Sequence, residues 1–150
     1  MTIEIRPIRD DEVSQAVEVL VAGSYSPETE DLKIFVNYLE AVRETRANGG
    51  EMLVAVDGHD VIGIVQVVIF RHFQRNGGYC CELESVHVRS DHRSQGIGGN
   101  LLRAAEELAR SRNCYRIQLT SNNLRTDAHH FYETNGYVKS HLGFKKYLTS

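Results

Sequence analysis

Six residues, Arg93-Ser94-Gln95-Gly96-Ile97-Gly98, stand between a strand-like run, Cys80–Val88, and an amphipathic run, Leu101–Ala109. A glycine-rich turn that hands a strand over to a helix leaves several backbone N–H groups pointing outward, beside the positive end of the helix. Those groups form a seat for a phosphate or pyrophosphate. The turn therefore fixes a strand, a helix and an anion-binding corner, and the rest of the chain has to be arranged around them.

The flanking elements follow from periodicity and punctuation. Ile3 and Ile5 alternate with Glu4 and Arg6, an opening strand ended by Pro7. Asp10 is the expected N-cap of a helix carrying Val13, Ala16, Val17 and Leu20 on one face. Pro27 and Glu28 open a second helix with Leu32, Phe35, Val36, Leu39 and Val42 on its apolar face, and Asn48-Gly49-Gly50 ends it. Met52–Val56 and Val61–Phe70 are rich in β-branched residues and are joined at Asp57-Gly58-His59-Asp60 as a hairpin. Asn76-Gly77-Gly78 marks the next turn, before the strand Cys80–Val88.

Leu101, Leu102, Ala105, Leu108 and Ala109 form the stripe of the helix after the glycine turn. Tyr115, Ile117 and Leu119 alternate with Arg116, Gln118 and Thr120 as a further strand. Thr126 to Glu133 reads as a short helix with a left-handed glycine cap at Asn135-Gly136, and Tyr137-Val138 and Leu142 to Leu148 as closing strands. The order β α α β β β α β α β β, without repeats or a linker, predicts one mixed α/β domain over residues 1–150.

Composition narrows the function classes. A net charge of −3 argues against bulk attraction to nucleic acid. Cys80, Cys81 and Cys114 have no disulfide spacing, which points to a reducing, cytoplasmic setting. The segment Met1 to Arg6 has no apolar core of a secretory signal, and the longest apolar stretch, Val61 to Phe70, contains Gln66 and is too short for a bilayer. Seven histidines form neither H-x-H nor H-E-x-x-H, and the cysteines do not join them at zinc spacing, so no metal is expected.

Two phosphate-loop types fail on the turn itself. A Walker loop ends in Gly-Lys-Ser/Thr, whereas Gly98-Gly99-Asn100 supplies neither lysine nor hydroxyl. A dinucleotide fingerprint needs Gly-x-Gly-x-x-Gly, and counting from Gly96 the sixth position is Leu101. A glycine turn with no ligand is the bland alternative.

Arg93-x-x-Gly96-x-Gly98, preceded by Glu84-Ser85-Val86-His87-Val88 and followed by Leu101-Leu102, resembles the acetyl-CoA signature of the GNAT N-acetyltransferase superfamily. Ala128-His129-His130-Phe131-Tyr132-Glu133-Thr134-Asn135-Gly136-Tyr137 is similar to that family's Ala-x-x-Phe-Tyr-x-x-x-Gly-Phe segment. The resemblance implies the α/β (α+β) GNAT acyl-CoA N-acyltransferase fold: a mixed, mostly antiparallel central sheet with flanking helices and splayed strands at the coenzyme site. It implies acetyl-CoA as cosubstrate, with the pyrophosphate on the amides of Gln95, Gly96, Ile97 and Gly98, and Ser94 and Gly99 nearby.

The resemblance further implies that freed backbone groups of the segment Val86-His87-Val88 bind the pantetheine arm as a pseudo-strand. The side chain of His87 is expected on the face opposite Glu84 and Val86. Arg93 occupies a position where the family uses Arg or Gln. Many members carry Asn seven residues before the tyrosine of the second segment. Arg125 stands there in this chain, so Asn122 and Asn123 are the candidates to take over that contact, or Arg125 itself reaches a phosphate.

Acetyl transfer to an amine needs loss of an amine proton, stabilisation of the carbonyl oxygen and a protonated leaving thiolate. By resemblance, Tyr132 is the candidate acid, Glu84 the candidate base acting through water, Glu82 its substitute two residues earlier, and the Val86 N–H the oxyanion donor. The C-terminal region resembles small bacterial GNATs, including aminoalkylphosphonate N-acetyltransferases, and Cys114-Tyr115-Arg116-Ile117 resembles glucosamine-phosphate acetyltransferases. Transfer to the primary amine of a small molecule is the leading expectation. Acetylation of a protein lysine or N-terminus, or acetyl-CoA binding without turnover, are the alternatives. Acceptor contacts in the family come from the first two helices, their connection and the Arg71–Gly78 loop, and homodimers are common.

Overall fold

The structure is a computed structural model that describes residues 2–149. Met1–Gln118 and Leu119–Ser150 form two compact units. The first holds a five-stranded sheet in the order β1-β2-β3-β4-β5, with β1 (Ile3–Pro7), β2 (Glu51–Asp57), β3 (Asp60–Arg71), β4 (Tyr79–Val88) and β5 (Cys114–Gln118). Neighbours pair antiparallel except β4 with β5, which run parallel. The mixed, mostly antiparallel sheet follows the expected fold.

Helices α1 (Val13–Gly23) and α2 (Phe35–Ala47) lie against one face. There Val13, Ala16, Val17 and Val42 pack with Val54, Val56 and Ile64 in a buried apolar cluster. Helix α3 (Ile97–Ser111) packs on the other face, where a Cβ built on Gly63 would sit 3.0 Å from Leu101. Its buried stripe is Ile97, Leu101, Leu102, Ala105 and Ala109. Burying this stripe stabilises the unit by roughly 1.5–3 kcal/mol for each large side chain, which anchors α3 behind the turn that precedes it.

Several local expectations are corrected. Asp10 is not the helix cap. A short 3-10 turn, Asp10–Glu12, precedes α1, and the Glu12 carboxylate accepts the Arg9 N–H at 2.9 Å while pairing with Arg6 at 2.6 Å. The second helix starts at Phe35, not at Pro27. Two 3-10 turns, Pro27–Thr29 and Leu32–Ile34, hold the connection instead. Asp31 accepts the Lys33 N–H, and the Tyr38 hydroxyl accepts from the Asp31 N–H and donates to Glu30, so local polar bonds outcompete a helix there. Leu32 and Val36, placed on the buried face by periodicity, are exposed. The strand after α3 spans Cys114–Gln118, starting and stopping earlier than its alternation suggests.

In the second unit, α4 (Thr126–Thr134) ends as its sequence indicates. Gly136 has φ +89°, its N–H donates to Glu133 O at 3.0 Å, and the Tyr137 N–H donates to Tyr132 O at 3.0 Å. That is the glycine-capped ending in which two late carbonyls are satisfied. Tyr137-Val138 and Leu142–Leu148, expected as strands, form none. The alternation is present, but no strand among the described residues pairs with them, and a lone extended segment has no ladder to stabilise it.

The cysteines are free thiols, with Cys80 and Cys81 buried. Burial pushes the Cys81 thiol up to about 12 and raises Cys114 as well, so neither is a thiolate near neutrality. No helix among the described residues is long and apolar enough to cross a membrane, and no group of three or more metal-ligating side chains gathers there.

Candidate functional site

Strand β4 is bent where the first motif begins. Its register against β3 runs Gln66↔Glu84 and then Ile64↔His87, so Val65 alone opposes Ser85 and Val86. Ser85 has φ +54°, the left-handed conformation of a β-bulge in a residue that is not glycine. Nothing in the composition of Glu84-Ser85-Val86 signals it.

The bulge overturns the expected side of His87. Ile64 and Gln66 are two apart on β3 and share a face, and directly opposed residues share it too. Glu84 and His87 therefore both lie on the α1–α2 side, because the extra residue cancels one alternation. The His87 ring reaches the end of α1, where a Cβ on Gly23 would meet its Nδ1 at 2.3 Å.

Pairing to β5 stops at Glu82↔Gln118. From Leu83 to Val88, that edge of β4 pairs with no strand among the described residues. The Arg93 guanidinium turns back on this edge, its Nε donating to Val88 O at 3.2 Å. The segment between them is a short 3-10 turn, Ser90–His92, whose lead residue Arg89 donates its N–H to Ile62 O at 2.7 Å.

The glycine turn then enters α3. Ser94 (φ +62°) and Gly96 (φ +80°) are both left-handed, and Ser94, Gln95 and Gly96 are exposed. A Cβ on Gly96 would meet nothing within 4 Å, so glycine is required there by conformation and not by space. The first helical bond is Asn100 N–H to Gly96 O at 3.1 Å, so the N–H groups of Ile97, Gly98 and Gly99 lie ahead of it at the positive helix end. The side chain of Ile97 is buried and anchors the turn.

Glu82 and Glu84 project on the α2 side of β4, opposite Val68 and Gln66. Glu84 is exposed; Glu82 is half-buried, and its Oε2 is enclosed without a hydrogen-bond partner among the described residues. Gln66 and Val68, the β3 partners of the two glutamates, line an open cleft of about 590 Å³ between α2 and β3, whose other polar walls are Glu44, Thr45, Asn48, Arg71 and Tyr79. Gln66 is fixed by donating to Thr45 Oγ1 at 3.0 Å, and the Arg71 guanidinium stacks over the Tyr79 ring. A smaller apolar cavity of about 100 Å³ lies deeper, between α1, α2 and the sheet, with Ser85 in its wall.

The second unit carries the other motif. Asn122 Oδ1 accepts the Leu124 N–H at 2.9 Å, closing a tight turn, and Asn122 O accepts the Arg125 N–H at 3.0 Å. Asn123 is exposed, and Arg125 is the half-buried residue that leads into α4. Tyr132 is half-buried between the rings of Phe131 and Tyr137, at centroid distances of 5.2 and 6.0 Å. Burial raises its phenol above the usual value, against the pull of the Arg125 charge, so it keeps its proton through the neutral range.

Residues 13–137 match the model of the acetyltransferase (GNAT) family. An aminoalkylphosphonate N-acetyltransferase of Salmonella typhimurium is 34% identical over 94 residues, covering 63% of this chain and 60% of that relative. The chain thus aligns with somewhat less than two thirds of that enzyme's length. A glucosamine 6-phosphate N-acetyltransferase of Schizosaccharomyces pombe is 32% identical over 94 residues, covering 63% of this chain and 82% of that protein. A solved structure described as a transcriptional regulator from Bacillus halodurans C-125 superposes with a TM-score of 0.90 at 31% identity, covering 98% of this chain and all of that one. With a family match spanning most of its length and a sheet of the same architecture, the chain belongs to the GNAT acetyltransferase family.

Proposed function

We propose that the protein is an N-acetyltransferase that moves the acetyl group of acetyl-CoA to the primary amine of a small molecule, in a ternary complex. The observation that carries this reading is the bulged β4, paired with β5 along only part of its length and joined by a short 3-10 turn to a left-handed glycine turn. That arrangement suits coenzyme A along its length. An extended pantetheine amide chain suits the β4 edge at Val86, His87 and Val88, beyond the last pair with β5. A pyrophosphate is matched by Gln95, Gly96, Ile97, Gly98 and Gly99, with Ser94 beside them and the helix dipole behind.

The coenzyme supplies an acyl thioester; the chain's own residues do the rest. Glu84, exposed on the α2 face, takes the amine proton through water, and Glu82 supports it or substitutes for it. The Val86 N–H receives the developing oxyanion. Tyr132, neutral at working pH, gives its proton to the departing thiolate. No acyl-cysteine step is invoked, since burial holds the Cys81 and Cys114 thiols in their protonated form. Arg93, Asn122, Asn123 and Arg125 are assigned to the coenzyme by motif position, with Arg93 acting first on the β4 edge.

The polar cleft lined by Gln66, the cross-strand partner of Glu84, with Arg71 and Glu44 in its walls, suits a small hydrophilic amine. Both named relatives act on amines that also carry an anionic phosphorus group, and Arg71 is the cation in the cleft wall that would meet one. The family match runs through both units, which supports reading them as one catalytic domain. A cytoplasmic homodimer completes the proposal. Phe144 and Leu148 are 90% and 89% exposed in the strandless C-terminal segment, apolar area that a second copy would cover.

An acceptor screen with thiol detection tests the reading, over aminophosphonates, amino-sugar phosphates, polyamines, amino acids and lysine peptides. Accelerated CoA release with a small amine supports it. Release with peptides alone would replace it by protein acetylation, and binding without release by a sensor role.

A further inference from the structure

We propose that His92 is a positioning residue for the coenzyme turn: as an imidazolium it ties the strap Arg89–His92 to the β2–β3 hairpin through Asp57, and the turn receives pyrophosphate best in that state. The inference rests on the coenzyme assignment above. His92 stands immediately before the turn, and its side chain is only 15% exposed although Asp91 and Arg93 on either side are exposed. Its Nδ1 lies 2.9 Å from Asp91 Oδ1 and its Nε2 3.4 Å from Asp57 Oδ2. Ionised carboxylates only accept hydrogen bonds, so satisfying both requires N–H on both ring nitrogens. A neutral ring has one such group and must release a carboxylate.

The surrounding charges are consistent with that state. Arg89 grips Asp91 with two hydrogen bonds, Nε to Oδ1 at 2.9 Å and Nη2 to Oδ2 at 2.7 Å. Asp57 ends β2, opposite Asp60 on β3, and both carboxylates also act on Arg89. Arg89 and a charged His92 together face the three carboxylates of Asp57, Asp60 and Asp91. Loss of the proton makes the cluster more negative by one charge beside a turn that has to accept an anion. The bond to Asp91 comes first among the influences that raise His92 above the ordinary imidazole range, with Asp57 adding to it and Arg89 opposing.

Position explains why the contact matters. The Arg89 N–H is pinned to Ile62 O and Ile97 is buried, while Arg93 to Gly96 between them are exposed and include two left-handed residues. A strained, exposed loop keeps one shape only when its ends are held. His92 ties the near end to an element 35 residues away in the chain.

Equilibrium affinity for dephospho-coenzyme A, measured calorimetrically from about pH 5.5 to about pH 8, tests the proposal without any acceptor. This probe lacks the phosphomonoester that would itself titrate near pH 6. The wild type should lose affinity about three- to tenfold as pH rises through the His92 transition. Asp57→Asn should move that transition toward the ordinary imidazole range, and His92→Gln, which keeps a donor but cannot titrate, should abolish it. The same pH step in a folded His92→Gln protein, or a flat wild-type profile, overturns the proposal. A merely structural histidine would lower the melting temperature of His92→Gln and leave the step in place. Failure of the wild type to bind at any pH would overturn the coenzyme assignment as well, which separates the two.

Discussion

Gly96→Ala is a perturbation whose size can be worked from the structure. Gly96 sits at φ +80°, ψ +4°, and an added Cβ meets no atom within 4 Å. No clash contributes, so the whole cost is the left-handed backbone of an L-residue, about 1–2 kcal/mol. For a chain of this size that is a fall in melting temperature of about 2–8 °C. Gly49 offers a matched control: φ +89°, only the Arg112 side chain near its Cβ, at the ordinary contact distance of 3.9 Å, and a place after α2 away from the helix entry. Gly49→Ala should cost similar stability and leave coenzyme affinity alone. Gly96→Ala should lose a comparable amount of stability and also at least tenfold in affinity for coenzyme A, as the amides of Ile97 to Gly99 rotate off their target. Scanning calorimetry and isothermal titration read the two effects separately. Equal coenzyme affinity in the two variants would refute the role given to the turn, and an unchanged melting temperature in Gly96→Ala would refute the backbone argument.

Three further outcomes are expected. Tyr132→Phe should lower kcat by about 10²- to 10⁴-fold, the range for a lost general acid, with acetyl-CoA affinity nearly unchanged; unaltered kcat would remove Tyr132 from the chemistry. Glu12→Gln breaks the pairing with Arg6 and should cost about 1.5–3 kcal/mol in denaturant titration at neutral pH. Because Arg6 first, and the Arg9 N–H, hold the Glu12 carboxyl below the ordinary value of 4.5, its contribution is present above that pH and lost as pH falls through the depressed value. The variant's deficit should therefore shrink in acid, and a deficit independent of pH would contradict the ion pair's role. Leu101→Ala empties a fully buried site behind the turn and should destabilise by about 2.7–5.0 kcal/mol in the same titration.

The legible parts of the sequence were those with local causes. The hairpin at Asp57–Asp60, the stripe of α3 and the cap at Gly136 are each written within a few residues, and the structure forms all three. The two glutamates of β4 could be placed on one face by alternation, and they share it. The bulge was not legible, because Ser85 carries no sign of a left-handed backbone, and one extra residue was enough to put His87 on the face it was expected to avoid. The α1–α2 connection defeated periodicity for another reason: Asp31 and Tyr38 offered the backbone better local bonds than a helix turn would. Leu142 to Leu148 has the alternation of a strand, but strands are made by partners that alternation cannot supply. His92 and Asp57 meet only through the fold, so nothing near either residue announces the pair.

The most direct test of the central claim, that coenzyme A lies along β4 and ends on the glycine turn, is amide hydrogen exchange with and without coenzyme A, read by mass spectrometry at peptide resolution. Slower exchange in peptides covering Val86–Val88 and Gln95–Gly99, with little change over β1 and β2, is the predicted result. Saturating coenzyme A that leaves those two segments as fast as in the free protein would contradict the account.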